Sequence, residues 1–407
     1  MICLFNKYKK SVQKRTDFFD NSFFNAVPDK PLATRNKPHN NQLCADLSRF
    51  ISAYPVVSHF LRFAWQTTTV PPSCVNRDDT GRPKTAFYGG ANRARVSSQS
   101  WKHAMRLMFN ELFTSEELGY RTMHAVDLIA NEIKKLDSSF DDETAVKEAI
   151  KAMNSAGVKI NEKKDNKTGA LFFISAVQAN NLAQLVISGE KDAKLYKQAL
   201  KETPSVDIAL FGRMVADDAD LNVDAASQVA HSISTHAVQN EYDYFTAVDD
   251  CSPEDSAGAG HLGTTEFNSS TLYRYATVNV AQLKKSIGVS VAEVIKGFAE
   301  AFICSMPTGK QNSYANRTYP DMVYVTIRKD QPVNLVGAFE KPVISNNGYV
   351  EESVKKLQEY AGKVYDNFSG KPVKSFMIGA DAISDAERVN LDELLEKLYS
   401  YIKDEVV

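Results

Sequence analysis

The chain has 407 residues, of which 43% are hydrophobic and 24% charged, and its formal net charge is -2 at neutral pH. That length supports a substantial core and two or three domains, and the composition is that of a folded soluble protein. No apolar run approaches the roughly 18 residues of a membrane span, and the start, MICLFNKYKKSVQKR, lacks the apolar centre of a secretion signal, so no membrane partner and a cytoplasmic address are expected.

Residues 1–57 open with Lys7, Lys9, Lys10, Lys14 and Arg15 ahead of any acid, and Pro28, Pro31 and Pro38 then break up a polar stretch. No packing period runs through them. They read as a basic N-terminal extension, either a mobile arm or the product of a mis-set start. From Phe60, the alternation of Leu61, Phe63 and Trp65 with Arg62, Ala64 and Gln66 predicts a strand with one buried face, ended by Pro71 and Pro72. A basic loop follows, then a helix over 97–112 with Ser97 or Ser98 as N-cap and Trp101, Met105, Met108 and Leu112 as its apolar stripe. These make a first unit at 58–113.

Residues 114–204 form a long insertion with helical periods. Leu118, Val126, Ile129, Ile133 and Leu136 make one set, and Val146, Ile150 and Met153 another; a polar break at 161–169 precedes a short strand at 171–174 and a further helix. Residues 205–240 return to the first unit, 241–268 read as a hairpin with a Gly-rich tip, and 269–407 complete the sheet. In that last part 272–280 alternates as a strand and 322–327 reads as another. Ser290 with Glu293 sets up a capping box for a helix whose face is Val291, Val294, Ile295, Phe298 and Phe302, and Leu394, Leu395, Leu398 and Tyr401 mark a C-terminal helix expected to pack on the sheet. Two strand–helix units with antiparallel partners predict an α+β chain, with a ferredoxin-like or RRM-type sheet interrupted by the insertion.

The segment from Pro71 to Arg106 carries Arg77, Arg82, Lys84, Arg93, Arg95, Lys102 and Arg106 against only Asp78 and Asp79. The helix start beside it adds unpaired N–H groups and the positive end of a dipole. Such a surface suits phosphates, while a solvated basic helix face is the alternative that the residues alone leave open. Sequence-tolerant RNA binding needs cations for the phosphates and flat or bulky side chains that hold bases apart. Arg77, Arg93, Arg95, Lys102 and Arg106 fit the first need. For the second, a Met or an aromatic in the later segments is by itself more often core.

Little points to catalysis. Neither a Walker phosphate loop nor HExxH occurs, Ser97 and Ser98 have no His–Asp partnership, and His231 and His236 would stand about 140° apart on a helix, too far round to share a metal. Asp249 with Asp250 is the pair that a metal-dependent ribonuclease would use, against the alternative of a solvated turn. Cys3, Cys44, Cys74, Cys251 and Cys304 are scattered without a CxxC pair, so neither a disulfide framework nor a zinc site is indicated. The expectation is a protein that is not an enzyme and has no cofactor.

PPSCVNRDDTG, FYGG, RARVSSQSWKHAMR, VDIALFGRM, FTAVDD, HLGTTEF, YRYATVNVAQL and PTGKQNSYA stand here in the order in which they occur in the CasC family, the CRISPR RNA-binding backbone subunit of the type I-E Cascade complex. From about Phe60 to its C-terminus the chain resembles that family. The resemblance implies an RRM/ferredoxin-like palm (58–113, 205–240 and 269–407), a large helical fingers insertion (114–204) and a thumb β-hairpin (241–268). It also implies a non-catalytic scaffold that polymerises head to tail along CRISPR RNA with other Cascade subunits, leaving the guide's bases to pair with target DNA in antiviral defence. Residues matching Arg77, Ser97, Ser98, Gln99, Lys102 and Arg106 would carry the guide backbone, with Arg93 and Arg95 beside them. Met214 would wedge against the guide, Tyr244, Phe245, Thr246 and Leu262 would flank a base turned out of the stack, and Lys310 and Gln311 would lie in a loop near the guide. At Ala91 and Asn92 the chain lacks basic residues that relatives often carry. The rivals are a metal-dependent ribonuclease on an RRM-like fold and a single-strand binder acting alone.

Overall fold

The sheet grows from the alternating stretch that begins at Phe60. The computed structural model describes residues 60–161, 165–247, 251, 261–287, 289–379 and 385–405. The N-terminal extension, Asp249 with Asp250, the hairpin tip, and the side chains of Leu61, Phe63 and Trp65 lie outside the described residues. The chain divides into Met1–Val56 and Val57–Val407, and everything described here belongs to the second unit.

The opening elements are β1 (Phe60–Ser73), β2 (Thr85–Tyr88), β3 (Ala91–Val96) and α1 (Ser98–Leu112). The insertion supplies β4 (Gly119–Thr122), α2 (Ala125–Leu136), α3 (Asp142–Ser155), β5 (Ile160–Asn161), β6 (Lys167–Thr168), β7 (Phe172–Ser175), α4 (Ala176–Ile187) and α5 (Ala193–Lys201). After it come α6 (Val206–Phe211), β8 (Ser227–Val229), β9 (Ser232–Ser234), β10 (Glu241–Ala247), β11 (His261–Asn279), α7 (Val280–Ser286), α8 (Val291–Cys304) and α9 (Gln311–Tyr314). The chain closes with β12 (Met322–Arg328), α10 (Val350–Val364), β13 (Lys374–Ile378), β14 (Glu387–Arg388) and α11 (Leu391–Glu405).

The central sheet runs β14-β13-β12-β1-β11-β9-β3-β2, and β8 and β10 also pair with β11. All of its pairings are antiparallel except β13 with β14. β1 runs on through Pro71 and Pro72 to Ser73, where the sequence predicts its end. The prolines fall in the gap of its register with β11, between Val70 and Ser73, which is where a residue without an N–H is tolerated.

Both sheet faces are covered. Along β12, Val323, Val325 and Ile327 join the cluster formed with Phe298 and Phe302 of α8 and Leu394 and Leu398 of α11, whereas Met322 and Tyr324 face Leu357 and Ala361 of α10. Each such side chain contributes roughly 1.5–3 kcal/mol of transfer free energy, which is why β12 reads as a nearly continuous apolar run. α11 forms where its period predicts and packs on α8. Ser290 caps α8 by accepting the Glu293 N–H at 3.4 Å. A complete reciprocal capping box stands instead at α4, between Ser175 and Gln178. α1 is held down by Trp101 and Met105, and the Trp101 Nε1–H donates to Ser232 Oγ of β9 at 2.9 Å.

The insertion has its own core, in which Ile129 and Ile133 of α2, Ala149 and Met153 of α3 and Leu182 of α4 meet. Val215 and Leu221, from beyond residue 204, belong to that same core, while Leu118 belongs to the core under the sheet and Leu136 is exposed. β10 and the first part of β11 leave the sheet as a two-stranded ribbon, and every residue of β10 is exposed. No helix among the described residues is long and apolar enough to cross a membrane.

Candidate nucleic-acid interface

The seven cations of the basic segment do not share one surface. Asp78 first shapes the loop: its Oδ1 accepts from the Thr80 hydroxyl at 2.8 Å and from the N–H groups of Thr80 and Arg82 at 2.9 and 3.0 Å, bonds that hold its carboxyl below the usual range. Arg82 then turns to Glu266 of the ribbon at 2.8 Å. Arg95 is half-buried, with its Nε donating to Thr85 O at 3.0 Å and a terminal nitrogen 3.3 Å from His231 Nδ1. Burial, then Arg95 and Lys84, push the His231 pKa down, so that ring is neutral beside the cations.

Arg93 has to be removed from the expected interface. It is fully buried, and its guanidinium donates to Ser234 O and Phe339 O, each at 2.8 Å. Those carbonyls lie across the sheet and in the segment before α10, so Arg93 knits the core and has no face left for a phosphate. Arg77, by contrast, is exposed and has no ion pair among the described residues.

Ser97 is the N-cap of α1, extended at φ -67° and ψ 145°, and its hydroxyl makes no capping bond. Its N–H donates to Asn76 Oδ1 at 2.9 Å, which ties the helix start to the basic loop. Ser97 itself is buried, Ser98 half-buried and Gln99 exposed. In the first turn of α1 the Ser100 N–H donates to Ser97 O at 3.0 Å, which leaves the N–H groups of Ser98 and Gln99 at the helix start without a side-chain cap. The loop of Lys310 and Gln311 packs against the same place: a Cβ on Gly309 would stand 2.0 Å from Val75 O, so only glycine allows that approach. Lys310 takes a left-handed conformation, φ 49°, and both it and Arg77 lie close enough to the buried Cys74 thiol to oppose the rise that burial gives its pKa.

Gln99, Lys102, Arg106 and Met214 meet in a groove of about 840 Å³ between α1 and the insertion. Lys102 is half-buried with its ammonium 5.4 Å from the centre of the Phe211 ring; burial lowers its pKa, and no carboxylate among the described residues pairs with it. One turn on, Arg106 is already neutralised: its Nε donates to the buried Asp207 at 3.0 Å and its guanidinium covers the Phe173 ring at 4.5 Å. Arg106, expected beside Lys102 as a contact to the guide backbone, thus reaches the groove with its charge already balanced by Asp207.

Met214 projects with 85% of its surface exposed because its neighbour is an anchor. Arg213 is buried and donates to Leu200 O at 2.7 Å and to Leu221 O, Phe173 O and Gln178 Oε1 at 3.1 Å, with burial pushing its pKa down to about 10. The sequence carried no sign of that anchor beyond the FGRM resemblance.

The ribbon divides the expected thumb residues between two faces. In an antiparallel pair, directly opposed residues share a face. Tyr244 opposes Thr264 and Thr246 opposes Leu262, so these lie on one face together with Tyr242, which the sequence reading passed over. Tyr242, Tyr244 and Leu262 are 69%, 65% and 55% exposed, an apolar stripe facing solvent. Phe245 is on the other face, opposite Gly263, and its ring lies where a Gly263 Cβ would be, 2.3 Å from the ring tip. The period-2 alternation in EYDYFTA was the signal for Tyr242.

Fold and groove together define an α+β protein in which a mostly antiparallel sheet carries a separate, largely helical insertion, with a cationic groove between them. The family model of CT1975-like proteins (Cas_CT1975) matches residues 66–401, and the chain belongs to that family. Among solved structures it is similar to a chain of a CRISPR RNA-guided surveillance complex, pre-nicking, at 30% identity and a TM-score of 0.71, over 84% of this chain and 100% of that one. It is also similar to a chain of another CRISPR RNA-guided surveillance complex, at 26% identity and a TM-score of 0.54, over 84% of this chain and 99% of that one. No curated protein matches it significantly.

Proposed function

We propose that this protein is a Cascade-type subunit, a CasC-like, non-catalytic backbone protein that binds CRISPR RNA through its phosphates and repeats head to tail along the guide with other Cascade subunits. The similarity to chains of RNA-guided surveillance complexes supports the partner class. One observation carries the phosphate contact: Lys102 holds a half-buried ammonium in the groove with no carboxylate partner among the described residues. Withdrawing a cation from water without a counter-ion costs free energy, and a docking phosphodiester offsets that cost. Arg77, Lys310 and the open first turn of α1 extend the anion-binding track, while Met214, Tyr244 and Leu262 offer bulky surfaces to bases. On this reading the sheet is the RRM-like palm, the insertion the fingers and the ribbon the thumb, and the guide's bases remain free to pair with target DNA.

The test is a titration of guide-length RNA with the purified protein over a range of salt, with magnesium or manganese present in a parallel set. The expected result is sequence-independent binding that weakens with salt, and intact RNA. Absence of binding at low salt overturns the proposal. Metal-dependent cleavage that disappears in an Asp249→Ala, Asp250→Ala variant replaces it with the ribonuclease reading.

A further inference from the structure

We propose that Arg121 is a second phosphodiester contact, on the finger wall of the groove, so that an RNA strand is gripped from two sides, by Lys102 of α1 and by Arg121 of β4. The inference rests on the RNA-binding reading above. Arg121 lies directly opposite Phe173 of β7, so the two share one face of the small finger sheet, and that face lines the groove. The Phe173 ring is covered by Arg106 from the α1 side. Arg106 and Arg121 both line the groove, yet their states differ. Arg106 is balanced by Asp207 at 3.0 Å, whereas Arg121 is exposed and has no carboxylate partner among the described residues.

Apart from the buried Arg213, the groove thus has one cation without an ion pair among the described residues on each wall, Lys102 and Arg121, with a single carboxylate, Asp217, in its lining and apolar material in Met214 and the exposed Leu171. An acidic peptide would satisfy the cations alone. A single-stranded polynucleotide satisfies both, because its phosphates recur along the chain and its bases present apolar faces. A planar guanidinium also donates to two phosphate oxygens at once, which a lysine does not match in geometry.

The experiment compares the full-length protein with Arg121→Ala, Arg121→Lys, Lys102→Met and the Arg121→Ala, Lys102→Met double variant, measuring the affinity for guide-length single-stranded RNA against salt concentration together with thermal unfolding. Each lost phosphate contact should flatten the log–log salt plot by about 0.7, and the double variant by about 1.4. Arg121→Lys should keep the slope, and none of the Arg121 variants should change the melting temperature. A wild-type slope in Arg121→Ala, while Lys102→Met is flattened, overturns the two-sided grip and leaves the RNA-binding reading standing. If neither single variant flattens the plot, the reading of the groove itself falls. An affinity loss in Arg121→Ala that comes with a lower melting temperature and an unchanged slope assigns Arg121 to finger packing and also overturns the proposal.

Discussion

Lys102 and Arg106 stand one turn apart on α1 and differ in everything but charge. Replacing Lys102 by Met removes a cation whose charged form is disfavoured by burial, so the free protein should keep its melting temperature while the salt dependence of RNA binding falls by about 0.7. Arg106→Ala leaves the buried Asp207 without its guanidinium, a change on the order of 3 kcal/mol, so thermal unfolding rather than the salt slope should register it. An Arg106→Ala protein with unchanged stability would contradict that assignment. His236 supplies a pH dependence. It is buried, stacks on Tyr349 at 3.6 Å, and its Nε2 accepts the Thr271 N–H at 3.1 Å, so the ring is neutral and burial holds its pKa below 6.5. A histidine with a depressed folded-state pKa binds fewer protons folded than unfolded, so its contribution is present above the unfolded pKa and is lost as pH falls through the folded one. Between pH 7 and pH 5 the melting temperature of the wild type should therefore drop more than that of His236→Gln, and equal drops would show that the ring does not govern this window.

At the scale of elements, the ribbon is the clearest case in which exposure separates binding from packing. Its two faces carry different chemistry: Tyr242, Tyr244 and Leu262 on one, the Phe245 ring over Gly263 on the other. Tyr244→Ala combined with Leu262→Ala should leave the melting temperature nearly intact, since both side chains are more than half exposed, and should weaken RNA binding by roughly 1–3 kcal/mol per stacked base lost. A large fall in melting temperature with affinity preserved at low temperature would return both residues to the core. The loop of Gly309 and Lys310 shows the same dependence of site on element. It reaches the basic loop only because a backbone without a Cβ fits beneath Val75 O.

For the whole molecule, the proposal makes assembly a function of RNA length. Head-to-tail contacts that do not close generate an open helix of subunits, so the number of copies bound should rise in steps as the guide is lengthened. Native mass measurement on RNAs of increasing length checks this, and a fixed stoichiometry of one per RNA would favour a single-strand binder acting alone. The finger body has a core of its own, in which Ile133 and Leu182 are fully buried, and Arg213 ties it to the segment that bears Met214. Core variants in the fingers are thereby coupled to the groove through Arg213.

The sequence by itself determined the order and type of the main elements, because these depend on local pattern: the stripe of Trp101 and Met105 specified α1, the short apolar run of 322–327 specified β12, and Leu394 with Leu398 specified α11. It also displayed the ordered motifs and the excess of positive charge before Arg106. Only the tertiary structure decided which of those charges remain free. Arg93 is satisfied by carbonyls of Ser234 and Phe339, Arg106 by a carboxylate 101 residues away, and Arg121, in no motif, reaches the groove through its pairing with Phe173. The physical reason is that burial and counter-charge act through space, between groups that folding brings together, whereas a sequence pattern records only neighbours along the chain.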